Sequence, residues 1–290
     1  MIILLFTPRI MTHLFEPEQM GKYYLITTIL SFFSLFIINP IGIFVNRNAI
    51  NWKNQKTLSR RINYLGIKLF PVLIFGFFII FYLANNFFYF LQISDTLLIC
   101  LVFVLIFKTN NETFSSVINI INHRKVFVFS QIFTPLLILL FTLFFYNFFD
   151  IKIDIWFYSI LLSNLFVFIY LYRFVVKLNL NKKVKWSAKN MISFSSPLLI
   201  SNVFMWFLFE GYRFVLENKV SAFDFGIFVV GFGLATQIIS SLDNIYNQYL
   251  GPYLTSWMSL KDQESRHLKI NEYLVFTFSF FSILLITLIF

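Results

Sequence analysis

The sequence predicts an all-α, polytopic membrane helical bundle, and three observations support this. Hydrophobic residues make up 59% of the 290-residue chain, whereas charged residues make up only 12%. A soluble domain carries about 25% charged residues, so this chain has too few to cover a surface that faces water. Apolar runs of bilayer length recur along the chain. These features exclude soluble enzymes, disordered regulators and secreted disulfide scaffolds, and the single cysteine, Cys100, allows no internal disulfide.

Nine apolar runs are predicted to form helices that cross or enter the membrane. A crossing helix needs about 20 residues to span a hydrocarbon core of about 30 Å. The first run is too short for this, and the last run is still apolar at Phe290. We therefore expect a fragment or a shortened relative of a longer transporter. The predicted spans are 1–15, 23–45, 64–86, 95–121, 126–149, 155–176, 191–215, 223–250 and 271–290.

The basic residues predict the orientation of the helices. When the loops are taken in alternation, one set holds sixteen Lys and Arg, whereas the other holds only Lys22, Lys152 and Lys219. Cytoplasmic loops carry the excess of Lys and Arg, so the richer set is predicted to be cytoplasmic, with the N-terminus inside. The sixteen are Arg47, Lys53, Lys56, Arg60, Arg61, Arg124, Lys125, Arg173, Lys177, Lys182, Lys183, Lys185, Lys189, Lys261, Arg266 and Lys269.

The net charge of +10 is thereby explained as an orientation signal and an attraction to anionic lipid headgroups. Membrane lipids are expected partners, and nucleic acid is not. The predicted outer loops are short and the predicted cytoplasmic loops near 46–63, 177–190 and 256–270 are only moderately longer, so no loop is expected to hold the catalytic domain of a glycosyltransferase or a polymerase. His13, His123 and His267 are scattered without metal-ligand spacing, and the chain has no Walker A motif. The sequence therefore predicts neither an enzyme nor a cofactor.

We single out five ionisable residues that are predicted to lie at membrane depth: Arg9, Lys108, Glu112, Glu210 and Arg213. A charge at the centre of a membrane helix costs about 2.5–3.5 kcal/mol on insertion scales, so each such residue is a candidate functional residue. Lys108 and Glu112 are four residues apart, and Glu210 and Arg213 are three apart, so each pair shares a helix face. Two interpretations stay open for both pairs: a structural ion pair, or the lining of a cavity that couples transport to an ion.

Polar residues extend these faces into stripes along the helices. The face of Glu210 and Arg213 continues backwards through Trp206 and Asn202, and a second stripe surrounds Asn244 in the next helix. A milder stripe of hydroxyl groups follows the second span. Such stripes occur as plain contacts between membrane helices. Several striped helices together, with an excess of Arg, are better explained by a central aqueous cavity.

Two stretches of the chain have similar sequences and predict an internal repeat. Arg9 is followed 12 residues later by Gly21, and Arg213 is followed 13 residues later by Gly226. In each stretch the arginine precedes a short outer loop, and the glycine opens the next helix. Transporters built from two equivalent bundles carry such parallel repeats. A chance match is the alternative for so short a similarity.

At these residues the chain resembles the polysaccharide-biosynthesis or O-antigen flippase family, which belongs to the superfamily of multidrug, oligosaccharidyl-lipid and polysaccharide exporters. The resemblance implies two helical bundles around a cationic central cavity. Residues 1–180 would form the N-terminal six-helix bundle with its first helix truncated, and 181–290 would form part of the second. The matching motifs are Glu16-Pro-Glu-Gln-Met-Gly21-Lys-Tyr23, Gly42-Ile-Phe-Val-Asn-Arg47, Ser193-Phe-Ser-Ser-Pro197, Trp206 through Phe214, and Asp224-Phe-Gly226-Ile-Phe228.

The resemblance also implies a function. It suggests that the protein flips a polyprenyl-diphosphate-linked oligosaccharide across the bacterial cytoplasmic membrane for O-antigen or capsule synthesis, alongside a polysaccharide polymerase. Arginines would hold the diphosphate, because the guanidinium fork fits phosphate oxygens. The substrate-binding candidates are Arg9, Arg47, Arg213, Trp206, Asn202 and Asn244, and the ion-coupling candidates are Lys108, Glu112 and Glu210.

Two alternatives stay open. A multidrug or organic-cation antiporter of the same fold would place unpaired carboxylates in its cavity. Here Glu112 and Glu210 each have a basic residue within one helical turn, whereas Arg9 has no local partner, which favours an anionic substrate. The other alternative is a truncated membrane protein that transports nothing.

Overall fold

The computed structural model describes residues 2–87, 93–148, 153–177, 188–258 and 262–289. Within these ranges the chain is helical, with no β-strand, as the sequence predicts. A π-helical segment, Ser34–Ile38, joins the second helix to the third. The helices are α1 Ile2–Leu14, α2 Pro17–Phe33, α3 Asn39–Asn54, α4 Leu58–Phe87, α5 Asp95–Ile120, α6 Arg124–Tyr146, α7 Ile153–Lys177, α8 Ala188–Phe209, α9 Tyr212–Glu217, α10 Ala222–Met258 and α11 Gln263–Ile289.

Five helices of the described chain are long and apolar enough to cross a membrane, which is compatible with a membrane protein. The larger count of about nine spans stays a prediction. Membrane helices satisfy all their backbone hydrogen bonds internally, and this is why apolar runs predict helices so well. The five are Pro17–Asn54, Asp95–Ile120, Arg124–Tyr146, Ile153–Lys177 and Lys189–Glu217.

Two predicted spans differ from the observed helices. The span predicted at 23–45 belongs to one helical rod from Pro17 to Asn54, so most of the connection predicted at 46–63 is helical. The span predicted at 191–215 is interrupted, because α8 ends at Phe209 and α9 begins at Tyr212. The chain turns at Gly211, where an added Cβ would lie only 2.7 Å from the Phe207 carbonyl oxygen.

Side-chain caps fix where several helices begin. The Ser94 hydroxyl accepts a hydrogen bond from the Leu97 amide (3.3 Å) at the start of α5. The Ser221 hydroxyl accepts from the Asp224 amide (3.2 Å) at the start of α10 and also donates to the Asp224 carboxylate (2.6 Å). These caps satisfy amides that have no partner within the helix.

Asp262 caps α11, and its removal should loosen the first turn of that helix. Its carboxylate accepts hydrogen bonds from the Ser265 hydroxyl and from the amides of Ser265 (3.2 Å) and Glu264 (3.3 Å), which lower the pKa of Asp262. The cap is therefore fully formed above the ordinary aspartate pKa and is lost only as pH falls through the lowered value. We expect Asp262→Ala to speed hydrogen exchange of these two amides at pH 7. Unchanged exchange would show that the cap is dispensable, and the amides of the Ser221 cap serve as the internal control.

The helices pack around α5. This helix lies against α7, which also packs on α6, while α2 packs along α10. One apolar cluster joins α1, α2, α5, α7 and α10, and includes Leu25, Leu101, Phe157 and Val229. A second cluster joins α3, α4, α5 and α7 and includes Trp52. The buried faces of α2, α5 and α7 are thereby placed towards one another.

The helices alternate in direction, which gives the bundle two distinct ends. The first, called here the glycine end, contains the end of α1 and the starts of α2, α7 and α10; Phe15 meets Trp156 there, with ring centroids 6.4 Å apart. The second, called here the basic end, contains the ends of α3 and α5 and the start of α6. At this end the Lys53 ammonium donates to the Ile121 carbonyl (3.1 Å).

The basic end brings together residues from several of the loops that the sequence grouped as basic. Besides the bond from Lys53, the Arg124 guanidinium lies over the Tyr253 ring at 5.3 Å, which joins α6 to α10. The contacts therefore agree with the predicted alternation of the loops. That this end faces the cytoplasm stays a prediction. The predicted boundary near residue 180 falls in 178–187, outside the described ranges.

Candidate functional site

The polar stripe predicted on α8 lies against the backbone of the α2–α3 rod. The Asn202 amide donates to the Leu35 carbonyl (2.7 Å). The Trp206 indole N–H donates to the Thr28 carbonyl (3.0 Å) and contacts the Ser31 hydroxyl (3.1 Å). Asn202 and Trp206 thus form contacts between helices. Their predicted role in sugar binding stays a prediction.

The π-helical segment explains why the Leu35 carbonyl needs a donor from another helix. The Asn39 amide bonds to the Ser34 carbonyl, five residues back. The same register would next pair residue 40 with Leu35, but residue 40 is proline and has no N–H. Asn202 supplies the missing donor from α8. Side chains of neighbouring helices commonly satisfy backbone groups that a proline frees within a membrane helix.

Replacing Asn202 with leucine should therefore destabilise the protein. The Leu35 carbonyl would lose its donor, and an unsatisfied buried polar group costs about 1–3 kcal/mol. We expect Asn202→Leu to lower the free energy of unfolding in detergent by this amount. Asn218→Leu is the matched control, because Asn218 is exposed directly after α9 and its amide donates to the Phe214 carbonyl of that same helix (3.0 Å). Equal effects of the two substitutions would contradict the role of Asn202.

The second pair predicted from spacing, Glu210 and Arg213, forms an ion pair in the structure. Arg213 is 8% exposed, and its guanidinium also donates to the Thr28 hydroxyl (2.8 Å). The guanidinium lies over the rings of Tyr24 (5.2 Å) and Tyr212 (5.7 Å). We call these five residues the Arg213 cluster. Because the carboxylate neutralises the guanidinium, the cluster joins α8 and α9 to α2 without a net charge.

Sequence reasoning missed the α2 members of the Arg213 cluster. Tyr24 and Thr28 lie one helical turn apart, so they present one face to Arg213. Thr28 is fully buried, and its hydroxyl donates to the Tyr24 carbonyl (2.8 Å). The available signal was the spacing of Tyr24, Thr28 and Ser31, which places all three towards α8.

The two other predicted substrate arginines occupy exposed positions. Arg9 of α1 is exposed, and its carbonyl accepts a hydrogen bond from the Thr12 hydroxyl (3.0 Å). Arg47 of α3 is exposed, with its guanidinium 5.3 Å from the centre of the Phe194 ring of α8. The structure does not join Arg9 to Arg213 by any hydrogen bond, ion pair or ring contact within the described chain. Asn244 lies on α10, and its side chain is outside the described residues.

The polar cluster predicted around Lys108 and Glu112 has both exposed and buried members on α5. Lys108 and Glu112 are both exposed, and no ion pair forms between them in the described part of the chain. In contrast, Asn111 is buried, and its amide donates to the backbone carbonyl of Asn164 in α7 (2.8 Å). Asn111 therefore serves the contact of α5 with α7, which leaves Lys108 and Glu112 as accessible charges in the middle of this helix.

Lys108 and Glu112 lie in the middle of one face of α5. Other helices cover this face before Lys108 and again after Glu112 along the helix. Leu105, three residues before Lys108, is buried in the first apolar cluster. Asn119, seven residues after Glu112, is buried and donates to the Gln248 carbonyl of α10 (2.9 Å). The successive spacings are three, four and seven residues, so these side chains all lie on one helix face: Leu105, Lys108, Glu112 and Asn119. We define the exposed stretch between these two covered regions as the α5 recess.

The two glycines of the predicted repeat meet where α2 crosses α10. A Cβ added to Gly21 would lie 3.0 Å from the Phe225 ring and 3.6 Å from the Gly226 Cα. A Cβ added to Gly226 would overlap the carbonyl group of Pro17. The corresponding residues of the two stretches thus form one crossing at the glycine end. The repeat itself stays a prediction.

No group of three or more His, Cys, Asp or Glu side chains in the described ranges is arranged to hold a metal ion. Comparison of the chain with family models, with curated proteins and with solved structures gives no match.

Proposed function

We propose that this protein is a membrane transporter that moves an anionic, polyprenyl-diphosphate-linked oligosaccharide between the leaflets of the bacterial cytoplasmic membrane. The observation that supports the proposal most strongly is the α5 recess, in which Lys108 and Glu112 are exposed between two covered regions of the same face. Charged groups within the hydrocarbon would be costly, so such a recess is expected to be wet. A wet recess gives the charged headgroup of a lipid a route that hydrocarbon does not offer.

The structure changes the roles that we assign to the basic residues. The guanidinium of Arg213 is already bound to a carboxylate, so it is a poor ligand for a second anion. Lys108 has an exposed ammonium with three donors, so we assign it to the diphosphate. Arg47, exposed near the basic end, remains a candidate for the first encounter with the substrate. The Arg213 cluster then serves to hold α2 against α8 and α9.

The contacts at the two ends of the bundle suggest which end opens first. At the glycine end, α2 and α10 meet backbone to backbone through Gly21 and Gly226. At the basic end, α10 is held by single contacts, such as the bond from Asn119 to the Gln248 carbonyl and the ring contact of exposed Arg124 with Tyr253. These contacts separate at smaller cost. Substrate therefore enters from the basic end, which is the end predicted to be cytoplasmic.

Transport of a lipid-linked diphosphate oligosaccharide in proteoliposomes tests the proposal. We expect Lys108→Gln to slow flipping by roughly tenfold to a hundredfold, since a hydrogen bond to a charged group contributes about 1.5–3 kcal/mol. Lys125→Gln is the matched control, because Lys125 is also exposed but lies at the basic end, outside the recess. If the native chain flips the substrate and Lys108→Gln flips it equally fast, Lys108 has no such role.

A second candidate, an organic-cation antiporter, is favoured by one observation. Glu112 is exposed and forms no ion pair with Lys108, so its carboxylate is accessible to a cation. In that case Glu112→Gln would abolish uptake of a lipophilic organic cation, whereas Lys108→Gln would not slow it. The same two variants therefore distinguish the candidates, because the flippase proposal expects the larger loss from Lys108→Gln.

A further inference from the structure

A separate cavity of about 420 Å³ lies between α4, α5 and α7. Its volume falls within the range of small-molecule sites, which is about 300–1,000 Å³. Most of the lining is apolar, and none of the described residues that form it is acidic. The lining residues are Ile62, Asn63, Gly66, Ile106, Phe107, Asn110, Phe114, Phe168 and Tyr172.

The cavity lies on the opposite side of α5 from the α5 recess. Asn110 and Phe114, which line the cavity, are rotated by roughly half a turn from Lys108 and Glu112 at 100° per residue. The helix α5 itself therefore separates the two spaces. An occupant of this cavity is distinct from the proposed substrate in the recess.

Two exposed arginines are close in sequence to lining residues of the cavity, on the parts of α4 and α7 that lie towards the basic end. Arg60 precedes Asn63 by three residues, so both lie on one side of α4. Arg173 directly follows Tyr172 near the end of α7. Basic pockets between membrane helices are known to bind the headgroups of anionic lipids. The combination of an apolar cavity and nearby exposed arginines matches a molecule with an apolar chain and an anionic head.

We propose that this cavity binds an anionic phospholipid, with an acyl chain between α4, α5 and α7 and the phosphate near Arg60 and Arg173. The apolar chain fits the cluster of Phe107, Phe114 and Phe168. The proposal requires that the protein lies in a bilayer, but it does not depend on what is transported. Failure of the flipping assay therefore leaves it untouched.

Native mass spectrometry of the purified full chain in detergent tests the proposal. The protein is titrated with phosphatidylglycerol and, separately, with phosphatidylcholine of the same acyl chains. We expect phosphatidylglycerol to bind several-fold more tightly, and we expect the double variant Arg60→Gln/Arg173→Gln to lose that preference, since each cation near the headgroup contributes roughly fivefold. Equal binding of the two lipids by the native chain would overturn the assignment of the arginines.

A filled cavity provides the second arm of the test. Gly66→Leu places a side chain in the cavity, because an added Cβ at this position meets only the Asn110 amide oxygen at 3.4 Å. We expect it to remove phosphatidylglycerol binding. Gly42→Leu is the matched control, since a Cβ at Gly42 meets nothing within 4 Å and the residue does not line the cavity.

Phe168→Trp narrows the same space without changing a glycine, and it should weaken binding even if Gly66→Leu does not fold. If Gly66→Leu folds and still binds phosphatidylglycerol fully, the proposal is overturned. If Gly66→Leu does not fold, full binding by Phe168→Trp overturns it. A polyprenyl diphosphate that competes equally well with phosphatidylglycerol would also overturn it, because the cavity would then be a substrate site.

Discussion

Replacing Gly226 with alanine is expected to be among the most damaging single substitutions in this chain. At the crossing of α2 and α10, the added Cβ would overlap the backbone carbonyl of Pro17, and backbone atoms cannot rotate away as a side chain does. Overpacking a helix contact costs typically 1–3 kcal/mol, and more where backbone must shift. We expect Gly226→Ala to lower the free energy of unfolding by about 3 kcal/mol, measured by reversible unfolding in mixed detergent.

Gly231→Ala is the control, because it makes the same chemical change five residues later in α10. A Cβ at Gly231 meets nothing within 4 Å. Alanine is favoured over glycine in a helix by about 1 kcal/mol, so this variant should be slightly more stable than the native protein. The two substitutions should thus have opposite signs. If Gly226→Ala is also stabilising, α2 and α10 do not cross at this glycine.

Removing the guanidinium of Arg213 is expected to have a similarly large effect. In Arg213→Ala the Glu210 carboxylate, whose side chain is 23% exposed, would remain between α8 and α2 without its counter-charge. Breaking a buried ion pair by removing one partner costs about 3–5 kcal/mol, and the partial exposure of Glu210 places the expected loss near the lower value. The measurement is again the free energy of unfolding in detergent.

Two variants make this prediction specific. Arg47→Ala removes an exposed arginine that lies over the Phe194 ring, and we expect a loss below about 1 kcal/mol. The double variant Glu210→Gln/Arg213→Gln removes both charges, and it should recover much of the stability that Arg213→Ala loses, because no unpaired charge remains. If Arg213→Ala is as mild as Arg47→Ala, the ion pair does not hold α8 and α9 to α2.

The helical character of the chain and the approximate positions of several helices could be predicted from the sequence, whereas the roles of their polar residues could not. An apolar run of sufficient length becomes a helix in a membrane whatever its neighbours are, because the backbone must satisfy its own hydrogen bonds. The predicted span 95–121 and the helix Asp95–Ile120 agree for this reason. The polar stripe of Asn202 and Trp206 was also correctly placed on one face of α8, since helical periodicity determines which side chains share a face.

Periodicity does not determine what lies opposite a face. Asn202 bonds to Leu35 because a π-helical segment and Pro40 leave a carbonyl without a donor, and that need arises 167 residues earlier in the chain. Similarly, Lys108 and Asn111 belong to one polar cluster in the sequence. In the structure, packing buries Asn111 against α7 and leaves Lys108 exposed.

The sequence by itself determined that the chain is helical, where the apolar helices lie and which polar residues share each helix face. Only the tertiary structure decided that Gly226 contacts a backbone while Gly231 does not, and that Arg213 is neutralised while Lys108 is accessible. The physical reason is that hydropathy and helical period are local properties of a segment. Burial and charge pairing depend instead on where helices far apart in the chain cross.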